Sequence, residues 1–319
     1  MFDGRVILVN YRTAERIRRR VKELLDGDER PAEIVVVDND VGGGLPEGIP
    51  GLGSETTWIA MPGNVGFAAA VNRGMLGLTR PFALWLNPDA CPGPGCLAGL
   101  QKALIDHPEA AVAAPALYPP DSEAPLQPSA TRRDPTWRTM LAEYGPFGQS
   151  ARRWLAARYF LMPDPMADTS PCAAVQGACF AVRREAWERI GPLDADRFFL
   201  YWEETDFCRR ARADGWTVLF CHRLRCRHEG GASVEGGRQD VEAFWRSAGA
   251  YFRKHHGFSY TALVQASVAT ATVASLALWE AGRWGRPSRR EAKAAYTRLL
   301  KDRWHALRLL CRGGRSCAI

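Results

Sequence analysis

Short apolar runs, each closed by a polar residue and followed by an amphipathic stretch, recur through the first hundred positions of the chain. Val6-Ile7-Leu8-Val9 ends at Asn10, and Thr13 stands where it can cap a helix running through Leu25. Glu33–Asp38 encloses Ile34-Val35-Val36-Val37, a β-branched run without alternation, as in a strand buried on both faces. A Gly/Pro-rich loop at Gly42–Gly53 precedes a weaker strand at Thr57–Ala60. The spacing then predicts a helix through Gly66–Leu78 and a second buried strand at Phe82–Leu86, ending at Asn87-Pro88-Asp89. Strand–helix–strand repetition of this kind predicts an α/β fold: a mostly parallel central sheet, Rossmann-like, with right-handed crossovers and flanking helices. Ligands of such sheets bind beyond the carboxyl ends of the strands. Asn10, Asp38, Asn64 and Asp89 all fall at or beside such ends.

The pattern breaks over residues 118–172, which are rich in Pro, Arg and aromatics, as at Tyr118-Pro119-Pro120, Arg132-Arg133 and Arg152-Arg153. A long irregular insertion in a compact enzyme is expected to be a lid or substrate loop, a disordered segment being the plainer alternative. Regular structure resumes at Val175–Arg183 and continues with strands at Thr217–Cys221 and Arg223–Arg227.

Composition changes this picture in two places. The net charge of +7 is lopsided: residues 281–319 carry eleven basic and two acidic side chains, so the preceding 280 residues sum to −2. Ahead of that basic tail, Gly257–Trp279 holds no charged residue but is rich in Ala, Ser and Thr, with Gln265 near its centre. An interfacial or core-packed helix is the favoured reading, with a membrane-spanning helix or a partner-binding helix as alternatives. A cationic tail suits anionic lipid headgroups. Nucleic acid is set aside, because no groove-reading motif or aromatic-interleaved basic stripe accompanies the charge. At 319 residues the expected division is a catalytic domain over 1–257 and a basic helical extension over 258–319. The nine cysteines are odd in number and lack Cys-x-x-Cys spacing, which argues against a zinc ribbon or a thioredoxin-type site. With a strand starting at Arg5 and no signal peptide ahead of it, reduced thiols in the cytoplasm are the expectation.

The chemistry concentrates at Phe198-Phe199-Leu200-Tyr201-Trp202-Glu203-Glu204-Thr205-Asp206, followed by Arg227-His228-Glu229-Gly230-Gly231. Three carboxylates directly after an aromatic run are costly to ionise unless a cation, a hydrogen bond or a proton attends them. Crowding of this kind tunes a general base; a plainer reading is an amphipathic helix with acids at its N-terminus. Asp89 is either a turn cap or a ligand for a hard cation such as Mg²⁺ or Mn²⁺. His228, one imidazole added to one carboxylate, favours Mn²⁺ somewhat, although a lone histidine is more often structural. Asn64-Val65-Gly66 opens a helix whose free N–H groups could meet an anion or a carbonyl, ordinary capping being the alternative. Asn72 and Arg73 follow on the same helix. No Gly-x-Gly-x-x-Gly or P-loop motif is present, so dinucleotide oxidoreductases and P-loop NTPases lose ground.

Taken in order, Val-Asn-Tyr (9–11), Val-Val-Asp-Asn (36–39), Gly-Asn-Val-Gly-Phe-Ala (63–68), Asn-Arg-Gly (72–74), Leu-Asn-Pro-Asp (86–89), Gly-Ala-Cys-Phe-Ala-Val-Arg-Arg (177–184), the Phe198–Arg210 segment, His-Glu-Gly-Gly-Ala-Ser (228–233) and Phe-Arg-Lys-His-His-Gly (252–257) resemble family 2 glycosyltransferases. The nearest subgroup is the rhamnosyltransferase-like one of bacterial surface polysaccharides. The resemblance implies a GT-A fold and an inverting, metal-dependent transfer of a sugar from a nucleotide-diphosphate donor. L-rhamnose from dTDP-rhamnose is favoured, although galactofuranose, glucose, mannose and amino sugars share the scaffold. The acceptor implied is a lipid-linked or cell-wall glycan at the inner face of the cell membrane, with the basic extension on the membrane surface. By motif, the donor would meet Asn10, Asp38, Asn64, Asn72, Asn87 and Trp202. Asp89 and His228 would hold Mn²⁺ or Mg²⁺; since Asn87-Pro88-Asp89 stands where many relatives have Asp-x-Asp, a weaker metal site is implied. Glu204 matches the usual catalytic base, with Glu203 and Asp206 as alternatives. Two rival readings are carried alongside. A sugar-nucleotide-handling α/β enzyme would want a glycine-rich basic loop near the N-terminus, where Tyr11-Arg12-Thr13 offers none. A non-catalytic nucleotide-sugar-binding protein would have no need of Glu204.

Overall fold

The computed structural model of the chain describes residues 1–40, 56–122, 131–144, 159, 164, 166–229 and 241–280. The Gly42–Gly53 loop, about half of the 118–172 insertion, Gly230-Gly231 and the basic tail from 281 lie outside the described residues. The chain divides into two compact units, one comprising Met1–Arg133 with Phe160–Gln239 and the other Asp134–Tyr159 with Asp240–Ile319.

The first unit begins β1 (Phe2–Asn10), α1 (Ala14–Asp26), β2 (Pro31–Asp38), β3 (Thr56–Ala60), α2 (Phe67–Met75) and β4 (Phe82–Leu86). These are the elements that the apolar periodicity predicts, with boundaries moved by a few residues. Then follow β5 (Ala90–Pro92), α3 (Cys96–Asp106), β6 (Ala110–Tyr118), β7 (Thr131–Arg132), β8 (Thr169–Pro171), β9 (Ala174–Val175), β10 (Cys179–Arg183), α5 (Arg184–Ile190), α6 (Glu203–Ala213) and β11 (Thr217–His228); α4 (Trp137–Tyr144) belongs to the second unit. Strands β3-β2-β1-β4-β10-β6-β11-β5 are neighbours in that order in one sheet, with β8 also pairing with β11. The pairs β1/β2, β2/β3, β1/β4 and β6/β11 are parallel, whereas β10 runs antiparallel between β4 and β6. The two expected strands at 217–221 and 223–227 are one strand, whose register on β6 shifts between Cys221 and Arg225.

Two apolar layers sandwich the sheet. Because side chains alternate along a strand, Val6 and Leu8 face one layer with Ile17 and Val21 of α1 and Leu100 and Leu104 of α3. Ile7 and Val9 face the other, with Val71 of α2 and Phe207 of α6. Trp85, Phe180 and Phe207 form the centre of that second layer, Trp85 stacking on Phe180 with ring centroids 4.1 Å apart. Burial of side chains of this size contributes roughly 1.5–3 kcal/mol each. Pairing on both faces explains why β2 and β4 read as continuous apolar runs.

Seven cysteines lie among the described residues, all as free thiols and all buried except Cys91. Burial holds the Cys172 and Cys221 thiols protonated, the latter pushed up to about 12, and neighbouring Cys226 and Cys96 raise Cys179 further. These are core side chains, not thiolates poised to react.

In the second unit, α7 (Val241–Glu280) is broken at Gly257, where φ is 79° and ψ is −178°. Val264, Val268 and Ala271 share its buried face at i, i+4 and i+7 spacing, while Phe258, Leu263 and Val273 are exposed. Thr261 and Ser267 turn their hydroxyls back onto the carbonyls of Gly257 and Leu263. The backbone N–H of Trp137 in α4 donates to the Tyr260 hydroxyl at 3.2 Å. Among the described residues no helix is long and apolar enough to cross a membrane, which removes the spanning alternative for 257–279. The expected division at 257 coincides with that break in α7, while compactness divides the chain at Asp240.

Candidate active site

Parallel register brings the site together at one edge of the sheet. Asn10 and Asp38 are register partners at the ends of β1 and β2, and the Asn10 amide donates to Asp38 Oδ1 at 2.8 Å. Asn10 Oδ1 in turn accepts the Thr13 backbone N–H and hydroxyl, both at 3.2 Å. The Thr13 side chain therefore makes no cap for α1; it is spent on Asn10, and together they fix the Asp38 carboxylate at the sheet edge.

The loop opening α2 is locked by a residue that motif reading passed over. Asn39, 2% exposed, donates its amide to Asn64 Oδ1 at 3.0 Å and accepts the Val65 N–H at 2.9 Å. Asn64 Oδ1 also accepts the Gly66 N–H at 3.1 Å, and the Phe67 N–H goes to the Phe199 carbonyl at 2.7 Å. The N–H groups of Val65, Gly66 and Phe67, expected to meet a bound anion, are thus taken by the protein itself. Asn64 acts as a turn-former beside the site. Gly66 has φ 89°, and a Cβ there would lie 2.5 Å from the Phe199 oxygen, so only glycine lets the 198–202 segment sit on the start of α2. Asn72 is likewise committed: its amide donates to the Leu193 carbonyl at 2.8 Å and accepts the Leu193 N–H at 2.9 Å. It clamps the chain leading into Phe198, and the structure does not bring it to the other donor-binding candidates.

Past β4, Asn87 donates its N–H to the Ala178 carbonyl at 2.9 Å and accepts the Ala90 N–H at 3.0 Å, closing a turn around Pro88-Asp89. Asp89 and His228 come from opposite ends of the unit's sequence but lie on adjacent segments, because His228 pairs with Ala90 across β11/β5. Asp89 Oδ1 and His228 Nε2 are 3.4 Å apart, with both side chains at least nine-tenths buried. Glu229 donates its N–H to the Asp89 carbonyl at 3.2 Å and is paired with Arg16 and Arg19 of α1. One oxygen and one imidazole nitrogen converging at this separation fit a shared divalent cation whose remaining positions are filled by substrate oxygens and water. Among the described residues no third His, Cys, Asp or Glu joins them, in keeping with the single aspartate of Asn87-Pro88-Asp89.

The acidic segment separates into roles. Tyr201 and Trp202 both hold left-handed backbone, with φ 67° and 70°. Such conformations cost about 1–3 kcal/mol each, and they persist where surroundings impose them, commonly at functional sites. They turn the chain sharply into α6, burying Trp202, Glu203, Glu204 and Asp206. Asp206 is 0% exposed and is held by Arg210 at 2.8 Å, one turn on. Arg210 also donates to the carbonyls of Ile190 and Pro192. Asp206 is therefore a structural anchor, and this correction removes it from the candidate bases: a wholly buried carboxylate fixed by a guanidinium has no path to a substrate proton. Glu204 accepts the Thr205 hydroxyl at 3.3 Å and packs against Gly177, the residue before the Ala178 carbonyl that holds Asn87. Glu203, beside it, is 5% exposed. Asn10, Asp38, Asn39, Asn87, Asp89 and His228 thus sit along the carboxyl ends of β1, β2, β4 and β11, while Glu204, on α6, lies beside Gly177.

An N-acetylglucosaminyl-diphospho-decaprenol L-rhamnosyltransferase of Mycobacterium tuberculosis is 27% identical over 227 residues, covering 67% of this chain and 72% of that protein. The low-salt glycan biosynthesis hexosyltransferase Agl10 of Haloferax volcanii is 25% identical over 230 residues, covering 71% and 67%. Among solved structures, the mannosyltransferase PcManGT from Pyrobaculum calidifontis, in complex with GDP-Man and Mn²⁺, superposes with a TM-score of 0.56 at 16% identity, covering 96% of this chain and 86% of that one. The family model "Glycosyl transferase family 2" matches residues 5–191. The chain belongs to glycosyl transferase family 2 and is a glycosyltransferase of the GT-A fold that takes its sugar from a nucleotide-sugar donor.

Proposed function

We propose that the chain transfers L-rhamnose, with inversion, from dTDP-rhamnose to a hydroxyl of a lipid-linked or cell-wall glycan at the inner face of the cell membrane. The observation that carries the choice of sugar and acceptor is the likeness, over 67% of this chain, to a mycobacterial enzyme named for L-rhamnosyl transfer to a decaprenol-linked sugar. The site supports the chemistry. Asp38, held by Asn10, offers a fixed carboxylate to the nucleoside. Asn87 shapes the turn that presents Asp89, and Trp202 walls the pocket.

Asp89 and His228 would hold Mn²⁺ or Mg²⁺, which neutralises charge growing on the leaving diphosphate. Arg16 and Arg19 hold Glu229, and so fix the strand end that carries His228. Glu204 takes the proton of the acceptor hydroxyl as its oxygen attacks the anomeric carbon and the diphosphate leaves from the opposite face. Glu203, adjacent on the helix and so projecting about 100° around its axis from Glu204, serves as its structural neighbour. A retaining hydrolase would need carboxylates on either side of the scissile bond, and consecutive helical residues do not supply that. The exposed apolar residues Phe258, Leu263 and Val273 of α7, together with the basic 281–319 segment, would hold the enzyme at an anionic membrane surface.

Nucleotide release tests the reading. Thymidine-, uridine- and guanosine-diphosphate sugars are offered with membrane extract as acceptor source, with Mn²⁺, Mg²⁺ or chelator. Metal-dependent release from dTDP-rhamnose, absent with the other donors, is expected. Release from another donor alone would replace the sugar, and release indifferent to chelator would remove Asp89 and His228 as metal ligands.

A further inference from the structure

Trp85 is the residue of β4 that the proposed reaction leaves unused, yet its surroundings are hard to explain by packing alone. The indole is 1% exposed, stacked on Phe180 and set edge-on to Trp187 and Phe207. Phenylalanine would keep the ring stacking of that cluster and leave the space of the second indole ring empty. The polar feature that tryptophan adds is Nε1–H, and this buried donor has no hydrogen-bond partner among the described residues. An isolated buried donor is a cost to the fold that natural proteins seldom retain without a use.

The direction of Nε1 suggests the use. A Cβ placed on Gly177 would sit 3.6 Å from Trp85 Nε1, 3.5 Å from Glu204 Cβ and 3.6 Å from Glu204 Cγ. The indole N–H and the Glu204 side chain therefore face the same small space, which exists because residue 177 lacks a side chain. Phe207 and Glu204 share one face of α6 at i, i+3 spacing, so the contact of Phe207 with Trp85 and Phe180 directs Glu204 toward that space. In the structure the Glu204 carboxylate accepts the Thr205 hydroxyl at 3.3 Å, and the two oxygens of a carboxylate can accept several such bonds at once.

We propose that Trp85 is a positioning residue: its indole N–H donates to the Glu204 carboxylate when the base is set for catalysis, through the space left open at Gly177. A hydrogen bond from an interior donor to a carboxylate aims its remaining oxygen, and aim governs proton abstraction. This inference rests on Glu204 being the base.

Two substitutions probe it. Trp85→Phe keeps the aromatic stack and removes the N–H. Gly177→Ala places a methyl group at ordinary contact distance from both partners, so it fits, but it fills the path of the bond. Each variant should lower kcat roughly tenfold or more, the range for hydrogen bonds to charged groups, with donor KM within about twofold, by the positioning argument; melting temperature should hold in Gly177→Ala, whereas Trp85→Phe should lower it for the ring space it vacates. The indole ¹H–¹⁵N resonance of Trp85, identified by its loss in Trp85→Phe, should lie downfield in the wild-type enzyme loaded with dTDP and Mn²⁺. It should move upfield in Glu204→Ala. Wild-type kcat in both variants would overturn the proposal. So would a fall in kcat confined to Trp85→Phe, with Gly177→Ala at the wild-type rate and the resonance unmoved, which marks a packing role. An active Glu204→Gln enzyme would instead remove the base assignment itself, and that variant alone tells the two failures apart.

Discussion

Replacing Arg210 by methionine should destabilise the enzyme far more than an exposed ion pair would. The Asp206 carboxylate is 0% exposed, and Arg210, with 21% of its side chain exposed, lies 2.8 Å from it. Arg210 also holds the carbonyls of Ile190 and Pro192 at 2.9 and 2.8 Å. Methionine fills comparable volume, so the loss is electrostatic: a buried carboxylate deprived of its cation costs about 3–5 kcal/mol, and two carbonyls lose charged donors worth about 1 kcal/mol or more each. Asp206→Asn removes the charge that needs compensation and leaves Arg210 partly solvated, so it should cost only about 1–3 kcal/mol. Urea unfolding followed by tryptophan fluorescence measures both, with the comparison made on midpoints at equal slopes. The double variant should recover part of the Arg210→Met loss, because no uncompensated charge remains. If Arg210→Met costs under about 1 kcal/mol, or if Asp206→Asn abolishes turnover while stability holds, Asp206 is no anchor and returns to the candidate bases.

Other consequences follow from single residues. Gly66→Ala forces a Cβ to within 2.5 Å of the Phe199 carbonyl in a left-handed backbone. It should cost about 1–2 kcal/mol or more and depress turnover by displacing the 199–202 turn; full activity with a wild-type midpoint would show the contact to be dispensable. Asn72→Ala should lower stability by about 1–3 kcal/mol while leaving donor KM within about twofold, since its amide is spent on Leu193; a large rise in KM with no change in stability would return Asn72 to the donor site. Burial lowers the His222 pKa from its ordinary 6.5, and its ring accepts the Asp164 N–H at 2.8 Å while meeting the Ser170 hydroxyl. The unfolded chain therefore takes up this proton first as pH falls, so the contribution of His222 is intact above about 6.5 and is lost as pH drops through the lower folded value. Unfolding midpoints between pH 7.5 and 5 should fall more steeply for the wild type than for His222→Gln; parallel profiles would contradict that.

Much of the sheet was legible because buried strands announce themselves: Val6–Val9, Ile34–Val37 and Phe82–Leu86 are apolar on both faces, and both faces are covered. The antiparallel placement of β10 was not, since its register against β4 and β6 is set by contacts distant in sequence. At the site, the motifs named Asn10 and Asp38, which bond each other, Asp89 and His228, which face each other, and Glu204. They did not separate residues that build the site from residues that face into it. Asn64 and Asn72 sit in the same motifs as the others, but Asn72 is consumed by the Leu193 backbone and Asn64 spends its oxygen on the Gly66 N–H and the Asn39 amide, a distinction only hydrogen-bond geometry makes. Asn39 carried a signal, adjacency to Asp38 at a strand end. Gly177 opened the Gly-Ala-Cys motif without a role of its own and Trp85 carried no signal, because a missing side chain and an indole within an apolar run look like ordinary core.

The measurement that bears most directly on the whole account is turnover of Glu204→Gln beside the wild type, with dTDP-rhamnose, Mn²⁺ and membrane acceptor, and with dTDP affinity determined on the same preparations. The substitution is nearly isosteric and removes only the capacity to accept a proton, so transfer should fall by at least 10²-fold, the lower range for general-base catalysis, with nucleotide affinity unchanged. Transfer at the wild-type rate would contradict the account, taking the base away from Glu204 and with it the role given to the buried N-terminus of α6.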